Sequence, residues 1–255
     1  MYDINYINIT ILFYYLIYLT NKMELLRNLK ERLQTLKNRI QAAAKACGRD
    51  PATVRLVAVS KTIPAHRVRE AIEAGVTILG ENYVQEARTK FNELAIYPIS
   101  WHFIGHLQSN KAKYAVRLFD LIHTVDSLNL ARELNKQAEK INKIQNILIQ
   151  VNIGAESSKS GVLVQETLNL LKEIRVLKNL SVKGLMTMPP FFDAPEKVRP
   201  YFSNLRNLSS RLMQQNLPQV NLNELSMGMT GDFEVAIEEG ATLVRIGTAI
   251  FGERE

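Results

Sequence analysis

The sequence predicts a single (β/α)8 TIM barrel with an extra N-terminal helix. Three observations predict it. From residue 55 onward, short apolar segments alternate with amphipathic ones in strict βα order, which implies parallel strands joined by right-handed crossovers. No Pro-, Gly- or Ser-rich linker and no composition shift divides that run. The chain has 255 residues, and one such barrel takes about 250. An open doubly wound sheet is the alternative, but no glycine-rich dinucleotide fingerprint comes after the first strand.

The first helix is read from Leu26, Leu29, Leu33, Leu36, Ile40, Ala43 and Cys47. Their alternating steps of three and four mark one face of an amphipathic helix beginning at Met23. Gly48 is placed to cap it, and Pro51 prevents its continuation. Strands are expected at 55–60, 76–79, 99–104, 121–125, 146–152, 181–186, 222–226 and 242–246. Between them the apolar spacing predicts helices at 64–74, 83–95, 108–118, 127–141, 162–177, 195–215 and 231–239.

Residues 1–22 stand apart. No charge lies between Asp3 and Lys22, and 9–19 is apolar apart from Thr10. A signal peptide would need a basic residue ahead of that run and a small-residue cleavage site, and neither is present. A spanning helix would need a longer run than the one Asn5 and Asn8 interrupt. The segment is therefore expected to be a dispensable extension ahead of a start at Met23, with a peripheral anchor as the alternative. Residues 23–255 form the barrel.

Composition narrows the function classes. Hydrophobic residues make up 46% and charged ones 22%, as in an ordinary soluble globular protein. The one cysteine, Cys47, excludes an internal disulfide framework and a multi-cysteine zinc site, and fits a reducing cytoplasm. The net charge is +7. Much of the basic charge lies on the first helix (Lys30, Arg32, Lys37, Arg39, Lys45) without the aromatic interleaving that nucleic acid would call for. It reads as a solvated face, and neither nucleic acid nor a membrane is an expected partner.

In a barrel of this kind the active end is where the strands finish. The residues at and just past the strand ends are mostly polar or glycine: Lys61; 80–82; His102, Gly105 and His106; 123–126; Asn152; 186–188; 226–228; Arg245, Gly247 and Thr248. A lysine closing the first strand is partly desolvated, which favours the neutral amine that condenses with an aldehyde. Barrels commonly bind phosphate in the loops after strands seven and eight. Those loops hold Ser226, Gly228, Gly247 and Thr248, which offer hydroxyls and close backbone approach. A strand-end lysine and a phosphate site together suit a phosphorylated aldehyde: pyridoxal phosphate with Lys61 forming the aldimine, or a phosphosugar held the same way. Arg245 on the last strand would face a pyridine nitrogen, and a guanidinium only donates.

His102, His106, His123 and Asp126 invite a metal reading, but no helical ligand spacing supports it, so hydrogen-bonded structural histidines are expected and no metal. Met186, Met188, Met227 and Met229 read as adaptable lining.

The segment 57–62, Val-Ala-Val-Ser-Lys-Thr, resembles the cofactor-lysine segment of the pyridoxal phosphate homeostasis proteins, which share the barrel of the alanine racemase N-terminal domain. Segments 80–86, 101–111, 184–188, 225–229 and 244–252 match in order, so the resemblance covers about residues 24–255. It implies Lys61 as the aldimine lysine and Ser226, Gly247 and Thr248 as phosphate contacts. It further implies Arg245 as partner of the ring nitrogen and Asn82 as a neighbour of the ring. Thr230 stands where a serine is usual, which keeps the hydroxyl.

A racemase needs a second base on the far face of the cofactor, and in racemases a second domain and subunit help supply it. The chain stops at Glu255 soon after the eighth strand, and only His102 or Tyr83 are candidates for such a base. The expectation is therefore a cytoplasmic, monomeric protein that stores, delivers or buffers pyridoxal phosphate without fast turnover, with PLP-dependent apo-enzymes as recipients. A weak racemase-like enzyme and a non-PLP phosphate-binding barrel are the alternatives.

Overall fold

In the computed structural model, residues 4–156 and 159–253 are described. Helix α1 runs from Ile4 to Ala46, so it starts well ahead of the expected Met23. Its buried stripe is Leu29, Leu33, Leu36, Ile40, Ala43 and Ala44. Each large side chain there contributes about 1.5–3 kcal/mol of burial, enough to dock the helix firmly. Cys47 lies past the helix end and is exposed rather than on that face. Gly48 comes next with φ +73°, the left-handed geometry of a helix stop.

The strands are β1 (Arg55–Val59), β2 (Ile78–Glu81), β3 (Ser100–Phe103), β4 (Leu121–Val125), β5 (Gln145–Asn152), β6 (Val162–Leu163), β7 (Leu180–Met186), β8 (Val220–Ser226) and β9 (Leu243–Ile246). All pair in parallel, in the order β4-β3-β2-β1-β9-β8-β7-β5, and β4 also pairs with β5. That last pairing closes the ring. The short β6 lies outside it, on β5. The fold is a closed parallel barrel of eight strands with helices around it, as the alternation predicted.

The intervening helices are α2 (Ala65–Glu73), α3 (Val84–Glu93), α4 (Ala112–Leu118), α5 (Leu128–Glu139), α6 (Thr167–Ile174), α7 (Arg199–Met213), α8 (Phe233–Glu238) and α9 (Thr248–Phe251). Most predicted boundaries move by a few residues, and two of the shifts have a clear cause. The segment expected as helix 162–177 opens with β6 and a 3-10 turn, and α6 starts only at Thr167. The second strand extends to Glu81 instead of ending at residue 79, because Gly80 sits inside the sheet. A Cβ there would meet Val57 Cγ1 at 2.9 Å and Ile104 Cδ1 at 3.0 Å, so the strand takes glycine where a sequence pattern reads a turn.

Strand side chains alternate between the outer shell and the barrel interior. The interior plug is a separate small cluster of Val57, Ile78, Leu121, Leu148, Met186 and Leu243. Toward the strand ends the buried side chains turn polar, with His102, His123, Ser226 and Arg245 among them.

Candidate functional site

Beyond the plug, a chain of buried polar groups crosses the barrel. His102 Nδ1 meets His123 Nε2 at 3.0 Å, and His123 Nδ1 meets Ser226 Oγ at 2.8 Å. Arg245 donates from Nη1 to Ser226 Oγ at 2.6 Å and from Nη2 to the Thr187 carbonyl at 2.9 Å. Alternation along four different strands brings these groups inward. Burial depresses His102 to about 4. It also holds His123 well below the ordinary histidine range, with His102 and Arg245 adding to the effect. Both rings are therefore neutral at physiological pH.

Arg245 is 3% exposed. Burial lowers its guanidinium to about 10, with Asp232 pulling the other way, so it stays a cation. Its two Nη atoms end on a hydroxyl and a carbonyl. Among the described residues, no carboxylate lies within ion-pair distance of it. A buried cation held only by neutral oxygens is suited to a further acceptor.

The loops after β8 and β9 form one wall. Gly228 has φ +89°, and a Cβ on it would meet Ala236 Cβ at 2.5 Å, so only glycine suits that turn. Gly247 leads into α9, its carbonyl accepting from Ile250 and Phe251. The Thr248 hydroxyl donates to the Thr230 hydroxyl at 3.2 Å. Thr248 is exposed and Thr230 half-buried, so this hydroxyl pair faces accessible space.

Ser226 is the other hydroxyl expected alongside Thr248 as a phosphate contact. It is fully buried, and its oxygen is taken up by Arg245 and His123. Thr230 is the hydroxyl from that loop that meets Thr248. The sequence marks Thr230 only through the resemblance, which implies a hydroxyl at that position.

Lys61 comes shortly after β1 and is half-buried. In the ladder, Val57 pairs with Arg245, so the strands that carry Lys61 and Arg245 are neighbours. Ser60 is fully buried, and Thr62 takes the unusual φ of +65°. Asn82 comes directly after β2, and its Oδ1 is buried with no hydrogen-bond partner in the protein. The loop after β3 presses against it: a Cβ on Gly105 would lie 2.2 Å from the Asn82 carbonyl oxygen.

Beside Lys61, Lys90, which the sequence does not single out, clusters with Glu81 and Glu86. Lys90 Nζ donates to the Ser60 carbonyl at 2.5 Å, to Glu81 Oε1 at 2.8 Å and to Glu86 Oε1 at 2.6 Å. Desolvation raises the Glu81 carboxyl above its usual range, and Lys90 opposes that. In the sequence Lys90 looks like a solvated helix residue, because one sequence does not show which face of α3 meets the barrel.

The four metal candidates do not converge. His102 and His123 bond each other, whereas His106 lies 3.4 Å from the Ser160 hydroxyl. Among the described residues, no three His, Cys, Asp or Glu side chains gather as a metal would require. Met186 and Met227 are buried, and Met188 is exposed at the rim. Of the two candidate second bases, His102 is buried and bonded to His123, and Tyr83 is 59% exposed. Among the described residues no helix is long and apolar enough to cross a membrane.

A family model described as the alanine racemase N-terminal domain matches residues 32–255. A protein of Aquifex aeolicus named pyridoxal phosphate homeostasis protein is 47% identical over 216 residues, 85% of this chain and 94% of its own. The Escherichia coli K12 protein of the same name is 44% identical over 221 residues, with coverages of 85% and 92%. The structure of PipY from Synechococcus elongatus with PLP bound superposes with a TM-score of 0.77 at 37% identity, covering 88% of this chain and 100% of that one. An alanine racemase from Clostridium difficile shares the fold at a TM-score of 0.68 with 16% identity, over 89% of this chain and 57% of its own. The chain belongs to the pyridoxal phosphate homeostasis protein family, on the barrel of the alanine racemase N-terminal domain.

Proposed function

We propose that this protein binds pyridoxal 5'-phosphate at the mouth of the barrel and serves in PLP homeostasis, holding the cofactor for storage, buffering or delivery. The observation that carries this reading is Arg245, a buried guanidinium bonded only to neutral oxygens, on the strand paired with the one that leads to Lys61. The residues present fit the cofactor's three chemical handles. The accessible hydroxyls of Thr230 and Thr248, with the backbone at Gly247, would hold the phosphate. Arg245 would donate to the ring nitrogen, and Asn82, whose Oδ1 lacks a protein partner, would stand beside the ring. When bound, pyridoxal phosphate supplies an aldehyde that condenses with a lysine amine, here that of Lys61.

The same residues argue for holding rather than turnover. Arg245 does not give up its proton to a ring nitrogen at physiological pH, so it leaves that nitrogen unprotonated and the ring a weak electron sink. Ser226, His123 and His102 supply no charge beneath it. The neutral His102 is buried with its Nδ1 engaged by His123, which argues against its use as a second base. We read the protein as a monomeric carrier in a reducing cytoplasm, which suits the exposed thiol of Cys47, with PLP-dependent apo-enzymes as recipients.

Mixing the PLP-loaded protein with a PLP-dependent apo-enzyme tests this. The reading predicts that recipient activity appears faster than the loaded protein releases PLP to buffer, with no racemisation of free amino acids. Steady racemisation abolished in Lys61→Ala would overturn the carrier reading.

A further inference from the structure

We propose that Lys90, Glu86 and Glu81 form a clasp that fixes the backbone on both sides of Lys61 and so places its amine, with Lys90 and Glu86 acting as positioning residues. The inference rests on the reading that Lys61 is the amine that receives the cofactor.

The geometry is specific to that one lysine. An ammonium has three N–H donors, and Lys90 directs them at three acceptors within 2.8 Å: the Ser60 carbonyl, Glu81 Oε1 and Glu86 Oε1. Both carboxylates reach back to the residues flanking Lys61. Ser60 Oγ donates to Glu81 Oε1 at 2.7 Å. The Thr62 N–H donates to Glu86 Oε1 at 2.6 Å. Ser60 is thus held by its carbonyl and its hydroxyl, and Thr62 by its amide.

Thr62 needs such a hold. Its φ of +65° is a left-handed conformation that a β-branched residue adopts only when its surroundings impose it. The Glu86 carboxylate accepting from its N–H supplies that constraint. Glu86 and Lys90 are one helical turn apart on α3, so a rigid helix presents both groups to the loop. A clasp serving stability alone would have no reason to bury a lysine at 4% exposure when an apolar residue of similar volume fits as well. What the ions add here is a fixed direction for the strand end.

The test compares Glu86→Ala and Glu86→Gln in the protein without cofactor. Glu86 is partly exposed, so both variants should fold, as thermal melting would establish. The amide oxygen of Gln still accepts from Thr62, whereas Ala leaves that N–H unheld. The readout is the rate at which acetic anhydride modifies Lys61 relative to the surface Lys113, quantified by peptide mass spectrometry. The rate of absorbance change on adding PLP is recorded alongside. The expected result is a change of about tenfold in both rates for Glu86→Ala, the scale of one hydrogen bond to a charged group. Glu86→Gln should stay within about threefold of the parent, since its oxygen still accepts. Lys90→Met combined with Glu81→Gln removes the ammonium without leaving an unpaired buried carboxylate, and it should resemble Glu86→Ala. Unchanged Lys61 rates in folded Glu86→Ala and in the double variant would overturn the proposal. If the parent protein takes up no PLP, the reading beneath it fails, yet the labelling comparison still decides whether the clasp places Lys61.

Discussion

Arg245 reaches from β9 to the Ser226 hydroxyl on the neighbouring β8 at 2.6 Å, so a buried cation is held by a neutral oxygen. That oxygen is in turn backed by His123 at 2.8 Å. Ser226→Ala should therefore cost about 1–3 kcal/mol of stability, because a buried N–H of Arg245 and a ring nitrogen of His123 lose their partner. With Arg245 freed to turn, affinity for PLP should fall by about tenfold. Urea unfolding and a PLP titration check both. An unchanged affinity would mean that Ser226 does not set the direction of Arg245.

The two buried histidines give stability a definite pH dependence. His102 sits at about 4 in the folded protein against an ordinary 6.5, and His123 is shifted the same way. Unfolded, both rings bind a proton below about 6.5, whereas folded His102 refuses it until about 4. Stability should thus be fully present above pH 6.5, fall as pH drops through that window, and level off for this contribution below it. At about 1.4 kcal/mol per unit, His102 contributes up to about 3 kcal/mol. His102→Asn, whose amide takes the place of the ring Nδ1, should flatten the slope measured by denaturant midpoints between pH 7 and 5.

The Thr230 and Thr248 hydroxyls, 3.2 Å apart, are the groups proposed to hold the phosphate. Replacing both by valine should weaken PLP by about a hundredfold, at about 1.5 kcal/mol per lost bond to a charged group. Pyridoxal, which lacks the phosphate, should bind equally to parent and variant. Equal weakening of both ligands would move the phosphate site elsewhere.

Most of the barrel is legible in the sequence because its signals are local. Strand alternation and helical spacing predict all eight barrel strands, and the polar strand ends mark the face that carries the candidate site. What escapes depends on three-dimensional neighbours. That the Ser226 hydroxyl meets Arg245 and His123 is one such relationship. Its inward place beside Arg245 is set by the β8–β9 pairing, not by its own segment. Lys90 escapes for a related reason, since a lysine on an amphipathic helix looks solvated until the Ser60 carbonyl is known to lie against it. The early start of α1, at Ile4 rather than Met23, escapes because the segment lacks the polar face that marks an amphipathic helix.

Gly105 offers a check on how the loop after β3 shapes the site. A Cβ there would approach the Asn82 carbonyl oxygen to 2.2 Å and its Cα to 2.6 Å. Gly105→Ala must displace Asn82, costing about 1–3 kcal/mol of stability and weakening PLP. A thermal melt alongside a PLP titration reads both, and a parent-like variant would show that the loop yields without moving Asn82.

The most direct measurement is the visible absorption spectrum of the protein saturated with PLP, before and after borohydride, with peptide mass spectrometry to locate any fixed adduct and Lys61→Ala in parallel. The expected outcome is a yellow protein whose colour is discharged by borohydride, a pyridoxyl mass on the peptide that contains Lys61, and neither in Lys61→Ala. A protein that takes up no PLP, or one in which the adduct maps to another lysine, would refute Lys61 as the amine that holds the cofactor.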